Sequence, residues 1–596
     1  VTTPRFPAFR YLGVGGPRGS AERLDAQSLP GRTLRAAAGD TEVALRVAPE
    51  PDLTVAQDDD GSFVLVDGRL VGSGDPARRA LDAFRRSGVS GVARLDGTAA
   101  TTVWDAPAGR LWLLRHRTGI PPVFHASLRE SRWWAPDIAS LLGVGVPREL
   151  DPVALDCYLA CGYLFAPLTM LATVRKVPPG YALRIDATGT ELVLTEPLPW
   201  GTVGPLPAQE RVERIGRLLE AAVGERLDPA GTTAVLLSGG IDSGLLLAVA
   251  RVVHGADVAA FTFRYDGYEG PMNEGSRARP LASHLGVPFE EIVIGPEWLA
   301  TQLDDLVAAY EEPFSYGVHS ARLAPLATAG IRVALSGVCT DGWYLTAKER
   351  RGFALHRGPL RPVLRAITAG APRRGVTRRA RTLARLAAAP LGDVFYDAAP
   401  NTILRDAVRL ELYRDPDAAV RGRAAAVGLL AAALDEVPGA SRADAYAHLA
   451  ARFDWPEHLL WWNHRWGRAA AVAVRSPFVD AELAGFFAAS PRPGPAKEEL
   501  RRYAARLVGP ELAERPKFPQ RLPLSVWLRG PLRGILAERL TADALAATPF
   551  RPEVVARALE EHDAGADRTW LLWTVLLVVT WQRILSSPAA RRERPR

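Results

Sequence analysis

Through the first two hundred residues the apolar positions come in short runs broken by Gly, Pro and Asp, at 43–47, 63–66, 101–104 and 111–114. Runs of four or five such residues between turn formers predict strands, so this part reads as a sheet-rich domain. Pro-bearing turns at 176–180 and 198–207 predict a change of structure, with a boundary near 205. Beyond it, apolar strands at 234–237, 258–263, 291–294 and 333–335 alternate with helical stretches at 245–253 and 274–285, the second closed by Gly286. That alternation predicts right-handed βαβ units around a parallel sheet, with ligands at the carboxyl ends of its strands. An Arg- and Pro-rich stretch follows at 350–385, then an Ala/Leu/Arg-rich one at 406–434 that predicts a helix. Residues 1–204 and 205–596 are the expected domains, with a basic, helical insertion at about 350–450.

Composition narrows this picture. A chain of 596 residues exceeds one core, and 48% apolar with 23% charged residues suits folded protein. Three cysteines, Cys157, Cys161 and Cys339, are too few for a disulfide framework or a paired-cysteine zinc site, which favours a reducing cytoplasm. Val1 to Pro7 carries no secretory pattern. The apolar run at 570–579 is about half the roughly 20 residues a membrane span needs, so it predicts a buried helix. A net charge of +7 suits any anionic partner and chooses none.

The chemistry starts directly after the strand that ends in Leu237. Ser238-Gly239-Gly240-Ile241-Asp242-Ser243 is followed at once by an apolar helix. Two glycines let the backbone approach an anion, unpaired N–H groups at the helix start point at it, and both serines can donate. Asp242 would repel phosphate unless a magnesium ion bridges the two. No Lys precedes the final Ser, so this is not a Walker loop, and pyrophosphate suits it better than γ-phosphate transfer.

Ser238–Ser243 resembles the pyrophosphate loop of the N-type ATP pyrophosphatases, and the chain as a whole resembles their asparagine-synthetase-like branch. Ser336-Gly337-Val338-Cys339-Thr340-Asp341 is similar to the second nucleotide motif, Arg475 to Asp480 to the R-x-P-F-x-D segment, Lys497 to Arg501 to the K-x-x-L-R segment, and Arg515-Pro516-Lys517 to the R-x-K loop. The resemblance implies an α/β doubly wound ATP-pyrophosphatase (adenine nucleotide α-hydrolase-like) synthetase domain that uses ATP and Mg2+. It implies Asp242 and Asp341 as metal ligands and Lys517 as the catalytic lysine. Leu237, Ser238, Gly239, Gly240, Ser243, Ser336 and Gly337 would line the ATP and pyrophosphate site. A cation fixed near the α-phosphate helps where negative charge develops.

Leu95-Asp96-Gly97, Trp104-Asp105 and Arg117 to Pro122 resemble the branch's glutaminase domain, which implies an α+β N-terminal glutaminase-like (Ntn-type) sandwich. Glutamine hydrolysis there needs an N-terminal cysteine, whereas this sequence opens Val1-Thr2-Thr3. The expectation is a degenerate glutaminase-like domain and a nitrogen nucleophile from another source.

Branch members without that cysteine include β-lactam synthetases, carbapenam synthetases and lasso peptide cyclases. Where asparagine synthetases carry a glutamate and β-lactam synthetases a tyrosine, this chain has Val338, which takes no proton. An α-amine, with a pKa of about 8, has a useful neutral fraction without a strong base. The expected activity is therefore a lasso-type macrolactam synthetase, cytoplasmic, acting on the core peptide of a ribosomal precursor alongside a leader-recognition protein and a leader peptidase. Glu311, Glu312 and His319 are candidates on the substrate side. Glu274 reads as structural, and Trp455, Trp461 and Trp462 near His464 as core. The alternatives are a small-molecule β-lactam or asparagine-type ligase, a tRNA-adenylating enzyme, and a non-catalytic scaffold. Nucleic acid and a membrane span are not expected.

Overall fold

A computed structural model describes residues 8–27, 29–270, 272–357, 361–369, 378–398, 403–491, 497–513 and 522–586. Two antiparallel six-stranded sheets form the N-terminal part. The first runs Val174–Lys176, Phe124–Leu128, Ser131–Ala135, Tyr11–Pro17, Thr41–Val47, Arg32–Ala38. The second runs Gly189–Leu194, Tyr181–Asp186, Arg110–Arg115, Gly97–Asp105, Phe63–Leu70, Leu53–Gln57.

Alternation explains the layering, because residues two apart share a face. Phe63, Leu65, Leu111 and Leu113 meet Tyr11, Leu45 and Trp134 between the sheets. Val64, Val66 and Val103 point the other way, onto Leu81 and Phe84 of the helix Pro76–Ala93. That helix starts at Asp75, whose carboxylate accepts from the Arg78 amide, with Pro76 in the first turn, as helix starts prefer. The helix Ile138–Gly143 packs on the strands Phe124–Leu128 and Ser131–Ala135 of the other sheet. The expected α+β sandwich is therefore present; the four predicted runs are all strands in it, each longer by one to four residues at an end, and eight further strands complete the two sheets.

After Leu194 the chain crosses to the helix Ala208–Gly224, and on the way the Gly201 and Val203 amides donate to the carbonyls of Ala488 and Ala489. The second sheet system is parallel throughout, in the order Phe289–Ile294, Val258–Tyr265, Thr233–Leu236, Val333–Leu335, Ala473–Arg475. Apolar residues on both faces of its central strands are buried, as in a sheet covered by helices on both sides.

The long predicted helix at 406–434 is two helices, Asp406–Leu412 and Pro416–Leu434. Pro416 forces the residue before it out of helical conformation, Asp415 caps the second helix through the Asp417 amide, and Tyr413 stays extended to bridge Phe550. The apolar C-terminal run lies in the helix Thr569–Ser586, which is a core element. Trp573 donates its indole N–H to the Ser315 carbonyl, and Trp581 to that of Glu311.

The two parts meet along the helical stretch Arg442–Leu449, the π-helical Ala450–Leu459 and Leu460–Ala469. Glu457 is fully buried there, with Arg115 Nη1 at 2.6 Å and Lys176 Nζ at 2.9 Å, both from the N-terminal sandwich. Pro456 fills the space beside Gly119. A cavity of about 1680 Å3 opens nearby between the parts, bounded by Arg10, Asp67, Arg226, Arg465 and Arg475.

Candidate active site

The site forms where the central strand Thr233–Leu236 ends. Leu237 is buried and its amide still donates to Phe261 O, at 2.7 Å. The chain then turns through Gly239, whose φ of 70° is left-handed. A Cβ there would also fall 2.7 Å from Arg277 Cβ and 2.8 Å from its carbonyl carbon, so glycine is required on both counts. Gly240 precedes the helix Ile241–Ala248, which has no side-chain cap; its first amides are left to bind an anion. The Ser243 hydroxyl braces the turn, accepting from the Ser238 amide at 3.0 Å and lying 2.9 Å from the Ser238 hydroxyl.

The second motif presses directly on this loop. Gly337 packs so closely that an added Cβ would sit 2.9 Å from the Ser243 nitrogen and 3.0 Å from Asp242 Cβ. Cys339 then adopts φ 71°, Thr340 Oγ1 donates to the Gly337 carbonyl at 2.8 Å, and the short helix Thr340–Trp343 carries Asp341 in its first turn. The motif is tied from behind: the Ser336 amide donates to the Arg475 carbonyl, Asn463 Nδ2 reaches Ser336 Oγ at 3.3 Å, and Ser476 Oγ donates to the Val338 carbonyl at 2.9 Å.

Between the two motifs stands Lys497. Its ammonium contacts Asp242 Oδ2 and lies 2.7 Å from Asp341 Oδ1. Burial opposes its charge, but the two carboxylates more than offset this and hold its pKa above the ordinary lysine value. Its φ of 59° places it just before the helix Glu498–Val508. Two carboxylates that converge on one cation form a hard oxygen donor set, the kind Mg2+ takes. Asp242 and Asp341 therefore fit the metal role, with further ligands to come from nucleotide phosphates.

The remaining predicted residues separate. Arg475 donates to the carbonyls of Arg226 and Leu227, and Arg226 pairs with Asp480 at 3.0 Å; Asp480 also caps the helix Ala481–Ala489. This segment is a brace for the second motif. Glu311 accepts from the Ala139 amide and pairs with Arg465 at 2.7 Å, while Glu312 accepts from the Met170 amide and faces Lys176 at 3.6 Å. Both acids thus face the N-terminal sandwich. His319 lies against Phe263, at the end of its strand, and Trp462. Trp461 is core, beneath Arg465 and Lys176. Glu274 is buried beside Arg277. Lys517 and its loop lie outside the described residues. Sequence alone assigns Lys497 no role; the K-x-x-L-R resemblance is the signal that points to it.

The model of the asparagine synthase family matches residues 214–583, and that of the glutamine amidotransferase domain matches 77–196. This chain belongs to the asparagine synthase family. The match to this family member spans the phosphate loop, the second motif and Lys497 together. Among curated relatives, asparagine synthetase [glutamine-hydrolyzing] 1 of Bacillus subtilis (strain 168) is 24% identical over 85% of this chain and 80% of its own length. A putative asparagine synthetase [glutamine-hydrolyzing] of Mycobacterium tuberculosis (strain ATCC 25618 / H37Rv) is 27% identical over 85% and 79%. The carboxyethyl-arginine beta-lactam-synthase of Streptomyces clavuligerus is 34% identical over 24% of this chain and 27% of its own.

Proposed function

We propose that this ATP-dependent amide ligase of asparagine-synthetase type closes a macrolactam on a ribosomal peptide, as lasso peptide cyclases do. The observation that carries the reading is Val338. Its backbone carbonyl is fixed by Ser476 in the motif that packs on the phosphate loop, and its side chain has no proton acceptor at the position where the resembled ligases carry Glu or Tyr. The reaction then suits a nucleophile that is partly neutral already, such as a peptide α-amine.

On this reading the amides and hydroxyls of Ser238–Ser243 hold the pyrophosphate end of ATP, and Asp242 and Asp341 hold Mg2+, which neutralises phosphate charge when bound. Lys517 supports the α-phosphate. An Asp or Glu side chain of the core peptide attacks the α-phosphorus, pyrophosphate leaves, and the peptide's α-amine displaces AMP from the acyl carbon, aided by being held close to it. The partners are the precursor peptide, a leader-recognition protein and a leader peptidase.

A second reading, a small-molecule β-lactam-type ligase, draws on the likeness to the Streptomyces clavuligerus relative. Co-expression with a precursor peptide separates the two. Mass spectrometry should find the core peptide lighter by one water, with ATP converted to AMP and pyrophosphate. Conversion of ATP to ADP, or no change in peptide mass, would defeat the macrolactam reading.

A further inference from the structure

The π-helical stretch Ala450–Leu459 carries a buried pair that the scheme above leaves unused. His458 and Asp454, four residues apart, are 2% and 8% exposed at their side chains, and His458 Nδ1 lies 3.0 Å from Asp454 Oδ1. With Asp454 accepting from Nδ1–H, the lone pair sits on Nε2. That nitrogen is buried and has no hydrogen-bond partner among the described residues. A buried polar atom without a partner in a native fold calls for a reason, and π-helical turns are frequent at functional sites.

The pair is built against the second motif. Trp455, one residue after Asp454, occupies the space a Cβ at Gly342 would need and packs on Trp343 at 4.4 Å. Asn463, further along the same helical stretch, reaches Ser336. The charges of Asp454 and Asp341 both act on the Cys339 thiol, which burial has already pushed up. Around the imidazole stand Tyr163, stacked at 4.6 Å and 4°, Trp462 edge-on at 4.5 Å, and Tyr316 at 5.7 Å. Three aromatic rings suit an ammonium group before it loses its proton. His319 adjoins the same cluster through Trp462. Burial first, and then His458, push His319 down to about 4, so it is a poor proton acceptor near neutrality.

We propose that His458 is the general base of amide formation, with Asp454 as its positioning residue, replacing the side-chain base that Val338 lacks. This rests on the adenylation reading given above. The amine nitrogen adds to the carbonyl carbon of the acyl adenylate and a C–N bond forms. The C–O bond to phosphate breaks, AMP leaves with that electron pair, and the proton from nitrogen passes to His458 Nε2.

Hydroxylamine is already unprotonated at neutral pH and traps an acyl adenylate without needing a base, so it separates the two half-reactions. With ATP, Mg2+ and a leader-free core peptide bearing a free α-amine, His458→Gln should leave hydroxamate formation in place and slow cyclisation roughly 100-fold. Asp454→Asn should act in the same direction. Either deficit should shrink as the pH rises past the amine's own pKa of about 8, which a purely structural role would not produce. Should His458→Gln fail to fold by circular dichroism, Asp454→Asn carries the test. Cyclisation at the parent rate in both variants, or loss of hydroxamate together with cyclisation, overturns the base. A parent protein that yields no hydroxamate overturns adenylation itself and the base with it, a failure distinct because it needs no variant.

Discussion

The ammonium of Lys497 bridges Asp242 and Asp341, 2.7 Å from Asp341 Oδ1, so the two carboxylates resembling metal ligands already share a cation supplied by the chain itself. Incoming Mg2+ competes with that ammonium. Lys497→Met should therefore raise the affinity of the nucleotide-free protein for Mg2+, measured by isothermal titration calorimetry, and Asp341→Asn should lower it. Equal affinities in all three proteins would dismiss the competition.

Catalysis should follow the same carboxylates. Asp242→Ala and Asp341→Ala should each cut peptide-dependent pyrophosphate release by roughly 100-fold or more, since each removes charge stabilisation at the phosphates. Lys517→Ala should impair the chemical steps with folding intact. Full pyrophosphate release from all three variants would show that the nucleotide lies elsewhere.

How far the sequence discloses this site depends on the range of the interaction. Parallel strands such as Val258–Tyr265 announce themselves because burial on both faces demands unbroken apolar runs, and the phosphate loop because strand, glycines and helix adjoin in sequence. The pairing of Lys497 with Asp242 spans 255 residues; each lies in a motif of its own, but no spacing in the sequence joins the two. The helix Pro76–Ala93 was legible in principle from Asp75-Pro76, but its alternating charges and kink at Ser87 and Gly88 blur its period. The break at Tyr413 shows the reverse, a proline signal overridden in reading by a long run of good helix formers on both sides.

Gly337→Ala tests how tightly the two motifs are joined. The added methyl would meet the Ser243 nitrogen at 2.9 Å, backbone that cannot swing aside. A loss of about 1–3 kcal/mol in denaturant unfolding is expected from such overpacking, with ATP binding weakened further. Unchanged binding would mean that the loop adapts freely.

The interface ion cluster predicts a pH dependence. Burial pushes the Glu457 carboxyl up, yet Arg115 and Lys176 together hold it below its ordinary 4.5. A depressed carboxyl contributes stability that is present above the unfolded pKa and lost as pH falls through the folded one. Melting of the parent should thus decline from about pH 4.5 downward, with a shallower decline in Glu457→Gln. At neutral pH, Glu457→Ala should cost roughly 3–5 kcal/mol, because it strands two buried cations. A melt as high as the parent's would contradict this.

Asp96 should behave in the opposite sense. Burial, and then the charge of Asp480, raise it above its ordinary 3.8, and Glu225 beside it is raised for the same reasons. A raised carboxyl favours the fold when protonated, and that contribution is lost as pH rises through the folded pKa. Asp96→Asn keeps an acceptor for the Gly97 amide and should raise the melting temperature at pH 7.5 more than at pH 4. An equal effect at both would exclude the electrostatic cause.

Glu457 adjoins His458 along the chain, so the arginine and lysine that neutralise it anchor the very turn that bears the imidazole. The sandwich serves in this way as a keystone for its neighbour. Removing the sandwich at about residue 205 would take both cations from Glu457 and uncover the face that bears it, so the synthetase half would lose the support of that turn as well as a companion.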